Sequence, residues 1–533
     1  MKKILLSFTF CFCYLFQMSS FSQEPFTVHV VPSAITAIPA VHSGAFASWN
    51  GKWIFVGGRR DGMHIMQANQ AFGKQERNDS VYVVDPLANS YSAASAQQLL
   101  PYMFDALCST NMQFFQDGNF LYMIGGYGFE GGSQSWITFP SLISINLDSL
   151  LGAFGGGWPI NGSFRQVIDS NMAVTGGALD KIDSTYYLVF GHNFEGRYSG
   201  IASPSFTQRY THEIRKFNID DDGINLSVNN YSFLTDTDVF HRRDFNMVPQ
   251  IYPNHERGFT VFGGVFRKNS DIPFLTPIDI TSGAVQHIAG FNENLNQYTT
   301  ASIPIYDSSA NYMHTVFFGG LSLYTLDTVN MSLIQDTLVP FVSTISKMTR
   351  DSSGVLNESK MQENMPYLKG ANAMFIPAAA TPMIDGRILD LNAINGNRLV
   401  GYIAGGIHSD APNVANLDPV GMSRPNAQLY EVYVDKTVNE IPEITVINSV
   451  IDLFIYPNPA IENLNVNFTL KKEGSCEIKL YDVRGNLIRT LFSDKKISGS
   501  QHFVFSITGI KAGTYFCHVK SGKSAKIVRV IID

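Results

Sequence analysis

Six short apolar runs that end on glycine constrain the fold of this chain more than any other feature. They read "GKWIFVGGRRDG" (51–62), "GNFLYMIGGYG" (118–128), "STYYLVFGHNFEG" (184–196), "RGFTVFGGVFR" (257–267), "NYMHTVFFGGLS" (311–322) and "NRLVGYIAGGIHS" (397–409). The glycine pairs begin at 57, 125, 191, 263, 319 and 405, and His192 takes the place of the second glycine in the third copy. The intervals of 68, 66, 72, 56 and 86 residues predict a solenoid or a propeller.

Each run has strands on both sides. Apolar strands such as "HSGAFASW" (42–49) and "NMQFF" (111–115) precede it. Alternating strands follow, most of them ending on Asp or Asn: 80–91, 140–149, 212–223, 273–283, "LSLYTLDTV" (321–329) and 427–436. The predicted unit is therefore a four-stranded meander. Its glycine pair allows positive φ and close backbone approach where the second strand leaves the core.

Six such meanders in a radial array would cover one another's apolar faces. The sixth unit lacks a last strand of its own, and "FTVHVVPS" (26–33) is a spare strand at the other end of the chain. We expect this strand to complete the sixth unit and remove its open edge. The 12% aromatic content and the 44 glycines agree with an all-β chain of many short strands. The predicted fold class is a six-bladed β-propeller over 23–440.

These units resemble kelch repeats. The similarity lies in the apolar strand ending in Gly-Gly, the "NDSVYVVD" strand (78–85) and the aromatic Tyr91, and 41–58 is the best copy. The family usually has Trp where this chain has Tyr91, and its repeats are about 50 residues long. The longer spacing here predicts loop insertions, the longest within 376–397 and 407–427.

The first 22 residues have the pattern of a secretory signal. Lys2 and Lys3 precede the apolar "ILLSFTFCFCYLF", and Ser20 to Ser22 place small residues before a cut ahead of Gln23. A membrane anchor is the alternative, but the apolar run is short and polar sequence follows at once. No later segment is long and apolar enough to span a bilayer, so we expect no transmembrane span.

Charge and cysteine content exclude several classes of protein. Residues 451–533 carry 12 Lys and Arg against 7 Asp and Glu, whereas 23–450 carry 24 against 38. An acidic main domain argues against nucleic acid or an anionic membrane as partner. The three cysteines after the signal exclude a full disulfide framework. Cys476 and Cys517 either pair or remain buried thiols.

After a linker at 441–453 the pattern changes. The segments 454–468, 477–492 and 507–532 predict a small Ig-like β-sandwich of about seven strands. This tail (454–533) closely resembles the type A C-terminal sorting domain of the type IX secretion system. The similarity is carried in order by "YPNP" (Tyr456, Pro457, Asn458, Pro459), "YDVRGN" (Asp482, Gly485), "GTYF" (Gly513, Tyr515) and a basic-apolar last strand.

This resemblance implies export across the outer membrane of a Gram-negative bacterium, via the periplasm, with the secretion machinery as partner. The protein would then be secreted or held at the cell surface. An ordinary adhesive β-sandwich is the alternative reading of the tail.

Propellers usually bind ligands at one end of the central channel. The repeat places eight residues near the start of the inner strands: His42, Asp105, Thr175, Arg242, Arg243, Asp244, Tyr298 and Lys369. "FHRRDFNM" (240–247) is the richest stretch. A ring of Arg, His, Asp and Tyr is suited to a sugar or an acidic group. The alternative is that these residues satisfy one another or buried loops.

Three further stretches have a structural and a functional reading. "NIDDDGIN" (218–225) resembles a calcium loop through Asn218, Asp220 and Asp222, but its twelfth position is Asn229 instead of Glu, which favours a solvated turn. Cys108 lies in an apolar strand and is interpreted as a buried thiol, not as part of a copper site. "GAFGGGWPING" (152–162) lacks the Lys of a phosphate loop and is predicted to be an ordinary loop.

Three functions remain open. The first is a non-catalytic exported propeller that binds an extracellular carbohydrate or protein, with no cofactor apart from a possible role for calcium. The second is a glycan-acting enzyme on the same scaffold, with Arg242, Asp244 or His42 as acid–base residues. The third is a structural surface-layer protein.

Overall fold

The computed structural model describes residues 25–64, 71–198, 206–327, 332–414, 421–436, 450–470, 473–482, 486–521 and 524–533. The chain divides into two compact units, 1–437 and 438–533. The predicted signal (1–22) and residues 441–449 of the predicted linker lie outside the described residues. The described chain is nearly all β, and none of its helices has the length and apolarity needed to cross a membrane.

The first unit begins with strand β1 (Thr27–Pro32) and continues through six sheets, I to VI, that each contain a four-stranded meander. Sheet I holds β2 to β5 (Ala45–Trp49, Lys52–Val56, Ser80–Asp85, Ser90–Ser95), and helix α1 (Pro101–Leu107) follows it. Sheet II holds β6, β7, β10 and β11 (Gln113–Asp117, Phe120–Ile124, Ser141–Asn146, Phe164–Ile168), with the inserted hairpin β8–β9 (Tyr127–Glu130, Ser135–Thr138) and helix α2 (Leu147–Gly156). Sheet III holds β12, β13, β16 and β17 (Ala178–Ile182, Thr185–Val189, Glu213–Asp221, Leu226–Thr235), with the hairpin β14–β15 (His192–Gly196, Phe206–Tyr210).

Sheets IV to VI repeat this arrangement. Sheet IV holds β18 to β21 (Asn246–Ile251, Arg257–Phe262, Ile278–Thr281, Val285–His287). Sheet V holds β22, β23, β26 and β27 (Ala301–Asp307, Tyr312–Leu321, Phe341–Arg350, Leu356–Asn364), with the hairpin β24–β25 (Tyr324–Asp327, Ser332–Gln335). Sheet VI holds β28, β31, β34 and β1 (β28 Ala373–Pro377, β31 Gly396–Gly405, β34 Tyr430–Lys436). An insertion with β29 (Met383–Ile384) and β30 (Ile388–Asp390) lies between its first two strands, and the hairpin β32–β33 (Ile407–Ser409, Ser423–Pro425) follows β31.

Three local predictions were wrong. Cys108 does not lie in an apolar strand, because it directly follows helix α1, which ends at Leu107. "LSLYTLDTV" was predicted as the third strand of the fifth unit, but it enters hairpin β24–β25, and the third strand is Phe341–Arg350. Both segments alternate apolar and polar residues, so the pattern does not tell them apart. The glycine-rich stretch 152–162 is not a loop throughout, because α2 continues to Gly156 and ends on Gly157, whose φ is 69°. A left-handed glycine is a usual helix end.

The glycine pairs form the junctions between neighbouring sheets. At Gly125 φ is 66°, and a Cβ placed there would lie 1.9 Å from the Val174 carbonyl oxygen, which belongs to the next unit along the chain. Gly126 donates its N–H to the same carbonyl at 2.9 Å. A side chain at the first glycine would therefore push two sheets apart, which explains why the strands end on glycine.

The third copy corrects the predicted alignment. Gly191 donates to the Arg242 carbonyl at 2.9 Å, the bond that the second glycine makes in four other copies. The missing residue is thus the first glycine, and Phe190 takes its place with a φ of 51°. The Phe190 ring packs on Phe240 and Phe245 from the segment before sheet IV. His192 is the residue after the pair.

Apolar contacts join the sheets in order. Five buried clusters link sheets I to II, II to III, III to IV, IV to V and V to VI. A sixth links sheet VI to sheet I, with Ile376 and Ala404 against Trp53 and Phe55. As predicted, β1 completes the sixth sheet: it pairs antiparallel with β34, with Val30 opposite Val432.

The second unit contains seven strands in two sheets. One sheet holds β35, β36 and β39, and the other holds β37, β38, β40 and β41 (β35 to β41: Val450–Tyr456, Asn463–Leu470, Gly474–Asp482, Leu487–Lys496, Gly499–Ser506, Gly513–Ser521, Ser524–Ile532). Their inner faces share one apolar core. Cys476 and Cys517 are both free thiols within it, and burial raises their pKa to about 11 and about 12.

The predicted sorting motif shapes the turns of this unit. Asn458 donates to the Arg529 carbonyl at 2.9 Å and accepts from Ile531 N–H at 2.7 Å, so "YPNP" is fixed to the last strand. Asp482 accepts from Asn486 N–H at 2.8 Å, and the Tyr515 hydroxyl donates to the Lys511 carbonyl at 2.7 Å. Gly513 begins β40, and Gly485 lies outside the described residues.

Candidate functional site at the glycine-pair end

A chain of backbone hydrogen bonds runs through the six sheets, just before each first strand. Five N–H groups each donate to the carbonyl of the preceding member, at 2.7–3.0 Å. We name these residues the belt: Ser43, Asn111, Gly176, Asp244, Thr299 and Asn372. Because one belt residue comes from each unit, the belt brings together positions that are far apart in the chain.

Two cavities meet at the belt. The larger, which we call the central cavity, has a volume of about 270 Å³. Residues of the first strands of sheets II to VI line it, together with Ser43 and Gly44, which precede the first strand of sheet I. The smaller, of about 60 Å³, is called the mouth cavity. Ser43, Asn111, Asp244 and Asn372 line both.

The mouth cavity is built from two repeated positions. One is the residue before the belt, and the other is the residue after the glycine pair. In four units these two residues exchange two backbone hydrogen bonds: His42 with Arg59, Thr110 with Tyr127, Thr175 with His192 and Arg243 with Val265. The repeat therefore places different side chains at equivalent points around one opening.

The polar side of the mouth is centred on Asp244. Its carboxylate accepts from the Tyr298 hydroxyl at 3.0 Å and lies 3.3 Å from Nε of Arg243, which also donates to the Tyr210 hydroxyl. Burial raises the pKa of Asp244, and the Arg243 charge opposes this rise. Burial and the Asp244 carboxylate also raise the pKa of Tyr298, so the phenol keeps its proton.

Another part of the lining is aromatic. Phe72, Tyr127, Phe194 and Tyr198 form a chain of rings with successive centroids 5.0 Å apart. Arg59 lies over Phe72 and pairs with Asp61, with 2.7 Å between Nε and Oδ1. The first two contacts are edge-to-face and the third is tilted, and together the packed rings make an apolar wall.

Two of the histidines that line the mouth, His42 and His192, are buried and neutral. Burial lowers the pKa of His42 to about 4, and its ring nitrogens contact Ser43 Oγ and the Asp61 carbonyl, each at 2.9 Å. Burial and Arg243 lower the pKa of His192 well below its usual value. Nδ1 of His192 has no hydrogen-bond partner among the described residues. Since each arginine is paired with an aspartate, the mouth has a nearly balanced charge.

The structure gathers five of the eight predicted channel residues at this cavity: His42, Thr175, Arg243, Asp244 and Tyr298. The other three do not line it. Arg242 is fully buried and donates to the carbonyls of Val239, Gly263 and Thr276 at 2.8–3.0 Å. Burial lowers its pKa to about 9.

Asp105 and Lys369 have structural partners instead. Asp105 pairs with Arg77 at 2.9 Å and accepts from Gly131 N–H at 2.8 Å. Lys369 donates to the Tyr430 hydroxyl at 2.5 Å, and burial lowers its pKa to about 8.

The residues that sequence reasoning missed have two origins. Arg59, Tyr127 and His192 follow a glycine pair, so the repeat itself marks their position. Phe72, Phe194 and Tyr198 come from the long connections after the glycine pairs of sheets I and III. No periodic pattern marks these three residues.

The calcium-loop candidate forms a turn between β16 and β17. Asp222 accepts from the N–H groups of Ile224 and Asn225 at 2.8 and 2.6 Å, Asp220 accepts from Asn229, and Asn218 donates to the Ser184 carbonyl at 2.9 Å. Among the described residues there is no group of three or more His, Cys, Asp or Glu placed to hold a metal ion. Cys108 is buried, and this raises its pKa to about 12.

Comparison with known proteins identifies the tail of the chain. Residues 454–533 match the family described as "Secretion system C-terminal sorting domain". This match confirms the predicted sorting domain. It supports export through the type IX system to the cell surface or beyond, with the secretion machinery as partner.

The six-sheet unit has only distant similarities. No curated protein matches the sequence at a significant level. One similar solved structure is titled "Structure of YjhT", with 12% identity over 72% of this chain and 93% of that chain and a TM-score of 0.41. Another is titled "Novel fungal alcohol oxidase with catalytic diversity among the AA5 family, in complex with copper", with 10% identity over 94% of this chain and 98% of that chain and a TM-score of 0.37. Both TM-scores are below 0.5, so neither alignment establishes a shared fold.

Proposed function

We propose that residues 23–440 form a closed six-bladed kelch-type β-propeller that binds a carbohydrate outside the cell, at the mouth cavity. Six consecutive four-stranded sheets, the cluster that joins sheet VI to sheet I and the pairing of β1 with β34 support closure of the ring. The glycine pairs support the kelch assignment. The sorting domain supports the location.

The observation that carries the functional proposal is that a polar cluster and an aromatic wall line the same mouth cavity. A sugar ring offers apolar C–H faces and a rim of hydroxyls. The wall of Phe72, Tyr127 and Tyr198 suits the faces, while Asp244 and Arg243 suit the hydroxyls. The paired charges favour a neutral sugar over an acidic one, because the guanidinium groups already have carboxylate partners.

A glycan array with the mature chain (23–533), with and without calcium, tests this proposal. Wild type is expected to bind a defined set of glycans. Tyr298→Phe removes the hydroxyl that orients Asp244 and should weaken binding at least tenfold, about 1.4 kcal/mol. Tyr91→Phe, on the exposed outer strand of sheet I, is the matched control and should bind as wild type. A blank array with a folded protein would reject carbohydrate and leave a protein partner or a structural surface role.

One observation favours a second function. Asp244 is a carboxyl of raised pKa in a cleft, with Tyr298 and the unpartnered His192 nitrogen near the same cavity. This combination suits acid–base chemistry on a glycan, with Asp244 as the acid–base residue. Incubation of each array-positive glycan with wild type and Asp244→Asn, followed by mass spectrometry and NMR, distinguishes the two functions. Turnover by wild type alone would identify an enzyme, and binding with no change in the glycan would reject it.

A further inference from the structure

The insertion between the first two strands of sheet VI lies at the end of the central cavity away from the belt. In the other five sheets this connection is a turn of two to five residues, whereas here it spans 378–395. Its strand β30 runs parallel to β22 of sheet V, with Leu389 opposite Ile305. The belt precedes each first strand and this connection follows it, so the two lie at opposite ends of the cavity.

Arg387 connects the insertion to sheets II, III and IV. Its guanidinium pairs with Asp180 of sheet III and donates to the Lys181 carbonyl at 3.2 Å. It also lies 5.5 Å from the ring centre of Phe115 in sheet II and 5.6 Å from that of Phe259 in sheet IV. One side chain of the insertion thus contacts sheets II, III and IV, and Asp180 itself lines the central cavity.

The lining of the central cavity favours neutral groups. Asp180 and Asp244 are the charged side chains among its described lining residues, and each is paired with an arginine. Its other polar groups are amides and hydroxyls such as those of Asn111 and Ser302. An ion placed here would lose its hydration without gaining a free counter-charge, which is costly.

One buried acceptor in this lining has no hydrogen-bond partner in the part of the chain that the structure describes. Gln113 is 2% exposed, and its Oε1 makes no hydrogen bond, although its Nε2 donates to the Asn111 carbonyl at 2.8 Å. A buried polar atom without a partner costs about 1–3 kcal/mol, so it favours a ligand or water that donates to it. The unpartnered Oε1 of Gln113 therefore indicates that the cavity accommodates a hydroxyl or N–H donor.

We propose that the central cavity is the inner part of the ligand site: a neutral, hydroxyl- or amide-bearing end of the carbohydrate passes the belt and donates to Gln113 Oε1. The insertion is fixed to this lining through the pair between Arg387 and Asp180. This inference rests on the proposed function for the identity of the ligand. The cavity of about 270 Å³ is of the size needed for one sugar unit or less.

The access of small reagents to the central cavity, and its preference for neutral over charged groups, can be measured before the ligand is known. Ser302→Cys places a thiol in the central cavity, and Ser92→Cys places one on the exposed strand β5 as the control. Background labelling is low because Cys108, Cys476 and Cys517 are buried. For each reagent, the labelling rate of Ser302→Cys is divided by that of Ser92→Cys. This ratio should be at least tenfold higher for neutral methyl methanethiosulfonate than for the anionic sulfonatoethyl reagent. No labelling of the folded protein, or equal relative rates, would overturn the proposal.

The ligand contact is measured on the same glycan array. Ala178→Leu fills part of the cavity and Gln113→Leu removes the acceptor, so each should weaken array binding at least tenfold. Gln116→Leu, on the same strand but outside the cavity, is the control and should bind as wild type. Wild-type binding that both cavity variants retain would overturn the inner site while the mouth site stands. A blank wild-type array with selective labelling of Ser302→Cys would reject the carbohydrate while the preference for neutral groups stands.

Discussion

The two ends of the central cavity differ in how their polar groups are matched. At the mouth, strands end on residues with positive φ, and residues of all six units line the cavity, where His192 Nδ1 has no hydrogen-bond partner among the described residues. At the far end, five connections are short turns, and the sixth brings Arg387 to the buried Asp180. The mouth thus has a buried ring nitrogen at its opening that a ligand can reach, whereas at the far end Asp180 already has Arg387 as its partner. Unsatisfied polar groups on a rigid frame are typical of binding sites.

Two glycines of sheet II give the largest expected difference between the ends. Gly125 and Gly118 have similar φ, 66° and 58°, but only Gly125 faces a neighbouring backbone, at 1.9 Å, while Gly118 faces open space. Gly125→Ala should lower the free energy of unfolding by roughly 3 kcal/mol or more, and Gly118→Ala by about 1 kcal/mol, in urea titrations. Equal losses would contradict the role of the glycine pair as a sheet junction.

The next largest effect on stability concerns one carboxyl, Glu358 in strand β27 of sheet V. Glu358 accepts from Asn294 and Leu295 N–H at 2.7 and 3.0 Å, in the segment that leads to Tyr298, and burial raises its pKa from 4.5 to about 7. A raised pKa stabilises the fold below pH 4.5, and this contribution is lost as pH rises through about 7. Glu358→Gln should therefore remove about 2–3 kcal/mol of the decline in stability over this window.

Urea titrations at several pH values measure this difference between wild type and Glu358→Gln. A constant offset between the two proteins at all pH values would show that Glu358 ionises normally. Glu256→Gln, on the exposed turn of sheet IV, is the control and should follow wild type.

The Arg387–Asp180 pair tests the far end. Arg387→Ala leaves a buried carboxylate without its partner and should cost about 2 kcal/mol of unfolding free energy, less than a fully buried pair because Arg387 is partly exposed. Arg257→Ala breaks an exposed pair with Asp385 of the same insertion and should cost less than about 0.5 kcal/mol. If both variants lose the same amount, the insertion is not fixed through Asp180.

The smallest effect concerns the turn between β16 and β17. Asp222→Ala removes two hydrogen bonds to the backbone and should lower the melting temperature slightly. This decrease should be the same in calcium and in chelator, because the side chain is already used by the turn. A calcium-dependent rise of the melting temperature in wild type, absent in Asp222→Ala, would instead support a calcium site.

The sequence predicted those features that rest on repetition. The glycine runs gave all six second strands, and the spare strand at 26–33 gave the partner of β34, because an open edge needs one. The third strand of sheet V was misplaced because an inserted hairpin has the same alternation as a sheet strand. The glycine pair of the third copy was misaligned by one residue, because Phe190 occupies its first position and aromatic residues rarely adopt positive φ.

The candidate site was less predictable for a similar reason. Arg243, Asp244 and Tyr298 precede a first strand, and their position followed from the repeat. Arg242 is adjacent in sequence but points into the junction of its sheet, where carbonyls surround it. The aromatic wall depends on connections whose paths no periodic pattern describes.

Hydrogen–deuterium exchange of the mature chain with an array-positive glycan tests the central claim most directly, because it locates the ligand. We expect protection around the belt and the residues after the glycine pairs, above all 42–44, 58–64, 110–112 and 242–245. The turn at 222–225 and strands Asn463–Leu470 and Gly513–Ser521 should exchange as in the free protein. Protection confined to those control segments, with none around the belt, would contradict a ligand site at the mouth.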